Sequence, residues 1–251
     1  MIEAIVSIIV NVVSDFIFVA IVILVGWTLF AATRRRQLLR FYGADASRRI
    51  VIYLSNLRVI PGGAIGIDNL RRSYQGSTAA FGEMQVASRF RDLFNYLLPS
   101  LSERPGVLSK LLISDIQVQL QPSPLSRGEV DRSCPFVTLG SPAYNAASGF
   151  AETELNSRAR FGEDCSTMVV GDVPPITDAT YGFVERIVDR DQNRHVFYAA
   201  GLSELGTVGA AHFLATEWAR LRRKYGYDTP FVVMLRFEPT DVRRWSIVFE
   251  R

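Results

Sequence analysis

Three stretches of the chain carry residue types that hold a phosphate or move a proton, and each follows a run that reads as a buried strand. Ile52-Tyr53-Leu54-Ser55-Asn56 ends in a hydroxyl and an amide. Val137-Thr138-Leu139-Gly140-Ser141-Pro142-Ala143-Tyr144-Asn145 passes from strand into turn, with Pro142 suited to a first helical position. There Ser141 offers a hydroxyl and nearby N–H groups to a phosphate, and Asn145, one turn on, reaches for a base or ribose. In Ala199 to Ala211, Gly206-Thr207 opens a helix, and small residues at 209–211 let its first turn approach a sheet. Open α/β sheets bind ligands beyond the C-terminal ends of their strands, where helix N-termini present free N–H groups. Gly-Ser-Pro and Gly-Thr are equally ordinary turn and cap chemistry.

The glycine-rich loop Pro61–Gly76 adds Arg71 and Arg72, either a phosphate clamp on a lid or a solvated pair. Glu83 and Glu204, each near a helix start, are the acid–base candidates, although a carboxylate there also simply complements the helix dipole. Other chemistry lacks its residues. There is no Walker A loop, and no G-x-G-x-x-G follows a strand. Ser141 has no G-x-S-x-G elbow around it. No His/Cys/carboxylate group has metal-ligand spacing, so neither metal nor cofactor is expected. His195, in a hairpin turn, and His212, inside a helix, read as packing groups. Two cysteines, Cys134 and Cys165, cannot build a disulfide framework.

These stretches need a sheet to hold them. Strands are expected at Ile50–Leu57, Leu111–Leu120, Phe136–Leu139, Thr167–Val170, Gly182–Val188, His195–Ala200, Phe231–Phe237 and Ser246–Phe249, all rich in β-branched and aromatic residues. The run Gly182–Ala200 reads as a hairpin turning at 189–193, so at least one strand is antiparallel. Two amphipathic helices are expected, near Ala79–Leu98 and Thr207–Tyr225. In the first, Val86, Phe90, Leu93 and Leu97 form the apolar stripe. In the second, Leu214, Trp218, Leu221 and Tyr225 face inward. The order argues for a Rossmann-like, three-layer α/β domain with a mixed sheet.

A different solvent dictates the first 33 residues. From Phe16 to Thr33 no charge occurs over 18 residues, enough for a spanning helix, and Arg34, Arg35 and Arg36 follow at once. The basic flank places residues 37–251 in the cytosol and the N-terminus outside, a single pass through the inner (cytoplasmic) membrane. The chain divides into an anchor at 1–36, a linker at 37–47 and one domain at 48–251. Ser7, Asn11, Ser14 and Asp15 share one helix face, and Ile5, Ile9, Val12, Phe16, Val19 and Ile23 follow a heptad seam. The polar face either lines a contact between copies or lies hydrated at the outer interface. The balance of 28 basic against 25 acidic residues is too even for a protein that coats nucleic acid. Of the basic residues 26 are arginine, which a GC-rich coding bias would also produce.

Strand-GSPxYN (Gly140 to Asn145), then YGFVERI (181–187), then AGLSELGTVGAA (200–211) resembles the Rossmann-like, SLOG- and TIR-like nucleotide-recognising domains of membrane-anchored bacterial signalling and defence proteins. The resemblance spans about residues 136–211. It implies a membrane-anchored sensor or effector that binds a nucleotide-derived ligand and couples it to association of its membrane helices, in a setting such as antiphage defence. Ser141, Asn145, Gly206 and Thr207 are the expected ligand contacts, with Ser55, Asn56, Arg71 and Arg72 outside them. The expected partners are the lipid bilayer, the nucleotide-type molecule and further copies of the chain. Two other functions remain open. One is a tethered nucleosidase or NAD-cleaving enzyme working through Glu204 or Glu83; the other is a membrane scaffold docking a protein.

Overall fold

Mostly apolar and free of proline, the stretch from Ile2 to Tyr42 makes one helix of 41 residues, α1. The computed structural model describes residues 2–56, 80–95 and 116–251. Along α1 the surroundings change. From Val13 to Phe30 the large apolar side chains are exposed, Phe16 by 76%. From Ala31 onward one stripe, Ala31, Arg35, Leu38, Leu39, Phe41 and Tyr42, is buried in the domain. Val13–Tyr42 is long and apolar enough to cross a membrane. Exposed hydrocarbon over that length is what a bilayer, rather than water, would cover.

Residues 37–47, expected as a linker, are structural. Residues 37–42 complete α1, Gly43 turns the chain with φ +71°, and Ala44–Ser47 form a short helix, α2. The Tyr42 hydroxyl donates to the Leu214 carbonyl at 3.0 Å. His195 is not in a turn. It is buried, Nδ1 lies 3.3 Å from the Phe41 carbonyl, and its ring fills the space a Cβ on Gly43 would need. An amphipathic pattern read as a connection therefore proves to be core, because its apolar residues recur at helical spacing on one side.

The domain is α/β with a mixed seven-stranded sheet. In chain order its elements are β1 Arg49–Leu54, α3 Phe81–Asn95, β2 Gln117–Pro122, β3 Phe136–Leu139, α4 Ala146–Thr153, β4 Ala159–Phe161, β5 Met168–Val170, β6 Tyr181–Asp189, β7 Arg194–Gly201, α5 Glu204–Tyr225, β8 Phe231–Glu238 and β9 Asp241–Glu250. The spatial order is β2-β1-β3-β7-β6-β8-β9. The first four run parallel; β6 is antiparallel to β7 and β8, and β9 to β8. β4 and β5 pair with each other in a separate ribbon, so 167–170 is not in the main sheet. Of the strand expected at 111–120, residues 111–115 lie outside the described residues, and β2 continues to Pro122.

The pleat sorts the core into two layers. Ile50, Ile52, Leu54, Val137, Leu139, Phe197 and Ala199 pack under α1, α3 and α5. Val51, Tyr53, Phe136, Val196, Tyr198 and Ala200 pack under α4 and the β4–β5 ribbon. Both faces being covered, β7 is buried at every residue. Where α5 meets β6 and β7, a Cβ on Gly206 would come within 2.3 Å of the Tyr181 carbonyl, and one on Gly201 within 2.6 Å of Gly206 Cα. Only glycines let helix and sheet approach this closely.

Candidate functional site

β1 is followed by α3 on one face of the sheet, and its neighbour β3 by α4 on the other. Their C-terminal ends are thus the point where the connections diverge, the usual ligand position in such sheets. The chain places Ser55 directly after β1, Gly140 and Ser141 directly after β3, and Glu83 in the first turn of α3. Glu83 occupies a buried position because residues 83, 86, 90 and 94 lie on one side of the helix, the side that faces the sheet.

Glu83 is 5% exposed, and Ser55 is its hydrogen-bond partner through two groups. The Ser55 N–H donates to Oε2 at 2.7 Å and the Ser55 hydroxyl to Oε1 at 2.7 Å. Burial pushes the Glu83 carboxyl up to about 7, the Ser55 bonds oppose this, and the nearby Glu204 charge adds to it. A carboxyl in this position carries a proton through part of the neutral range and can give or take one. Gly140, at φ +92°, makes room: a Cβ there would lie 2.4 Å from Ser55 Oγ and 2.9 Å from Glu83 Oε1. Glu204, in the first turn of α5, accepts the Gly82 N–H at 3.0 Å and so ties α5 to α3 beside Glu83.

Asn145 and Asn56 frame the same point. Asn145 Nδ2 donates to the carbonyls of Leu139 at 2.7 Å and Tyr53 at 3.3 Å, bridging the strand ends. Its Oδ1 accepts from the N–H groups of Ala147 and Ser148, so Asn145 is the N-cap of α4, not a free group one turn into a helix begun at Pro142. Asn56 Nδ2 donates to the Ser123 carbonyl at 2.9 Å, and its N–H to the Tyr144 carbonyl at 2.7 Å. The Ser141 carbonyl accepts from Tyr144 and Asn145 in the intervening turn. The Ser141 side chain lies within reach of the half-buried Cys165 thiol, whose pKa burial raises.

At the β7–α5 junction the helix begins earlier than expected. Ser203 is the N-cap, accepting from Gly206 N–H at 3.1 Å, and its carbonyl takes the Thr207 N–H. The Thr207 hydroxyl is bonded to the Gly201 backbone. Gly206 and Thr207 thus hold helix against strand, with their N–H groups already occupied. Ser55, Asn56, Glu83, Ser141 and Asn145 are brought together; Gly206 and Thr207 lie at the next junction, joined to them through Glu204. Arg71 and Arg72 lie outside the described residues.

Three further features were not recognised in the sequence. Glu152, on α4, accepts the Tyr198 hydroxyl at 2.7 Å, and burial raises its carboxyl to about 7. Glu185, 3% exposed, takes donors from Ser157, Arg158 and Ala159. A carboxylate in the middle of YGFVERI is its only trace in the sequence. An open groove of about 870 Å³, between α5 and the β8–β9 hairpin, is lined by His212, Arg236, Arg243, Arg244 and Trp245 among others. Arg89 donates to His212 Nδ1 at 2.9 Å, and burial, with the charge of Arg89, lowers the His212 pKa. Among the described residues no group of three His, Cys, Asp or Glu is placed to hold a metal ion. Compared with known proteins, the chain matches no family model, no curated protein and no solved structure.

Proposed function

We propose that this chain is a membrane-anchored α/β protein that binds a nucleotide-type small molecule at the β1–β3 divergence and passes that state to α1. The observation that carries the reading is the Glu83–Ser55 pair, a buried carboxyl that among the described residues has no cation paired to it, set beside Gly140 where a side chain would not fit. Coupling to α1 has a material route. α5 starts at Glu204, beside the pair, and its Leu214 carbonyl is bonded to Tyr42 at the end of α1. Further copies of the chain would associate through α1, as signalling by helix clustering requires, and the domain would face the cytosol. The resemblance to nucleotide-recognising signalling and defence domains supports the same ligand class.

The test is thermal unfolding of the full chain in nanodiscs against NAD, ATP, and cyclic mono- and dinucleotides. A ligand of the folded form at 100 times its Kd stabilises by about 2.7 kcal/mol, a shift of a few degrees. A shift abolished by Gly140→Val but kept by Arg236→Gln supports the divergence point as its site; a flat panel overturns the reading. One observation favours turnover as a second reading: a carboxyl titrating near 7 suits general acid–base catalysis of glycosidic cleavage. Product formation lost in Glu83→Gln, with ligand binding retained, would decide for the enzyme.

A further inference from the structure

We infer that the arginines at the end of α1 and those in the last turn of α5 form one surface that docks on anionic lipid headgroups. The inference rests on the reading of α1 as a membrane span, and it begins from the continuity of that helix. At 1.5 Å per residue, Phe16–Thr33 covers about 27 Å, the thickness of a hydrocarbon core. Burial by the domain begins at Ala31, inside that stretch, and continues through Arg35 and Leu38 without a break in the helix. No flexible segment separates bilayer from domain, so the part of the domain beside Ala31–Arg40 sits at headgroup height.

That part is cationic. Arg34 and Arg40 on α1 lie over rings of the neighbouring layer, Arg34 at 6.0 Å from Trp218 and Arg40 at 4.4 Å from Tyr227. Arg222, in the last turn of α5, lies 5.9 Å from the same Tyr227 ring and donates to its hydroxyl at 3.4 Å. Two guanidinium groups 182 residues apart in sequence thus converge on one tyrosine, with exposed Arg36 and Arg223 near them in sequence. Two local carboxylates are engaged elsewhere, Glu217 with Arg220 and Glu250 with Arg220 and Lys224, while Asp228 lies 3.5 Å from His195. Among the described residues Arg34, Arg36, Arg40, Arg222 and Arg223 have no ion pair. Their geometry suits phosphate, which a guanidinium holds by paired N–H donors. Charges at this depth are within a Debye length of a lipid surface, where their attraction is strong.

The arginines of α5 provide the test, because they are remote in sequence from the membrane flank and a topology signal alone would not involve them. The full chain is reconstituted in nanodiscs of phosphatidylcholine, with or without 30% phosphatidylglycerol, and amide hydrogen exchange is followed over residues 222–229. Exchange there should slow at least tenfold with the anionic lipid. The protection should disappear in 0.5 M salt and in Arg222→Gln/Arg223→Gln, while a core segment such as β7 is unchanged. Glycerol 1-phosphate added to phosphatidylcholine discs should not reproduce it; if it does, the surface is a soluble-phosphate site. Equal exchange in both lipids overturns the docking and leaves the span intact. Failure of the chain to enter either disc removes the span, and the docking with it.

Discussion

Glu83 and Glu185 are both buried, at 5% and 3% exposure, and burial raises the carboxyl pKa of each. Their surroundings differ. Glu185 gathers the Ser157 hydroxyl and the N–H groups of Arg158 and Ala159, pinning the turn before β4 to β6. Among the described residues Glu83 has donors from Ser55 alone, with a second carboxylate nearby and Gly140 beside it. The first carboxylate is consumed by structure. The second is held in place yet left with unused acceptor capacity at the end of a strand. Burial by itself does not mark a functional group; the number of internal partners separates the two.

The comparison breaks or sharpens by substitution. Glu185→Ala strands the Arg158 N–H and removes the shared acceptor of Ser157 and Ala159, and should cost about 3 kcal/mol in unfolding experiments. An equal loss in Glu83→Ala would erase the distinction. Next, Glu83 should make stability pH-dependent. Its folded-state pKa, about 7, exceeds the ordinary 4.5, so the folded chain binds the proton more tightly. The stabilisation is complete below pH 4.5 and disappears as pH rises through 7, a change of about 3 kcal/mol. Glu83→Gln, whose amide can pair with Ser55, should flatten that slope; a wild-type profile in the variant would show that Glu83 is not the group titrating.

Gly140→Ala should cost about 2 kcal/mol, from the positive φ and the contact with Ser55 Oγ, and should abolish any ligand-induced shift. Calorimetry of the variant with and without ligand checks both. The smallest effect, about 1 kcal/mol, is expected of Ser55→Ala, which removes the hydroxyl and leaves the N–H in place. It should also move the pH midpoint upward, since a bond to the ionised form is lost.

Much of this was legible in residue patterns. The helix stripes, the 182–200 hairpin and the GSPxYN turn lie close to their expected places, since each depends on neighbours within a few residues. Helix starts were misplaced: Asn145 and Ser203, not Ser141 and Gly206, are the caps. Several residues near each start can cap, and sheet contacts choose among them. The 167–170 run is a strand as expected and pairs with 159–161 in a separate ribbon, since a strand pattern does not specify its partner. Glu83 was a candidate for being near a helix start. Its position on the apolar stripe with Val86 and Phe90 was the stronger signal, a charged residue where burial would have to be accommodated.

Local sequence alone determined the apolar length of the first helix, the basic flank after it and the alternation of strands and helices, because propensity and hydrophobic period act over one or two turns. Tertiary structure decided what those elements mean to one another. It buried Leu38, Leu39, Phe41, Tyr42 and Ala44 of the expected linker, set Glu83 against Ser55 across 28 residues, and brought Arg222 to the same tyrosine as Arg40. Such pairings depend on the order of strands in the sheet and on which face each connection takes, and these follow from the packing of the whole chain rather than from any segment of it.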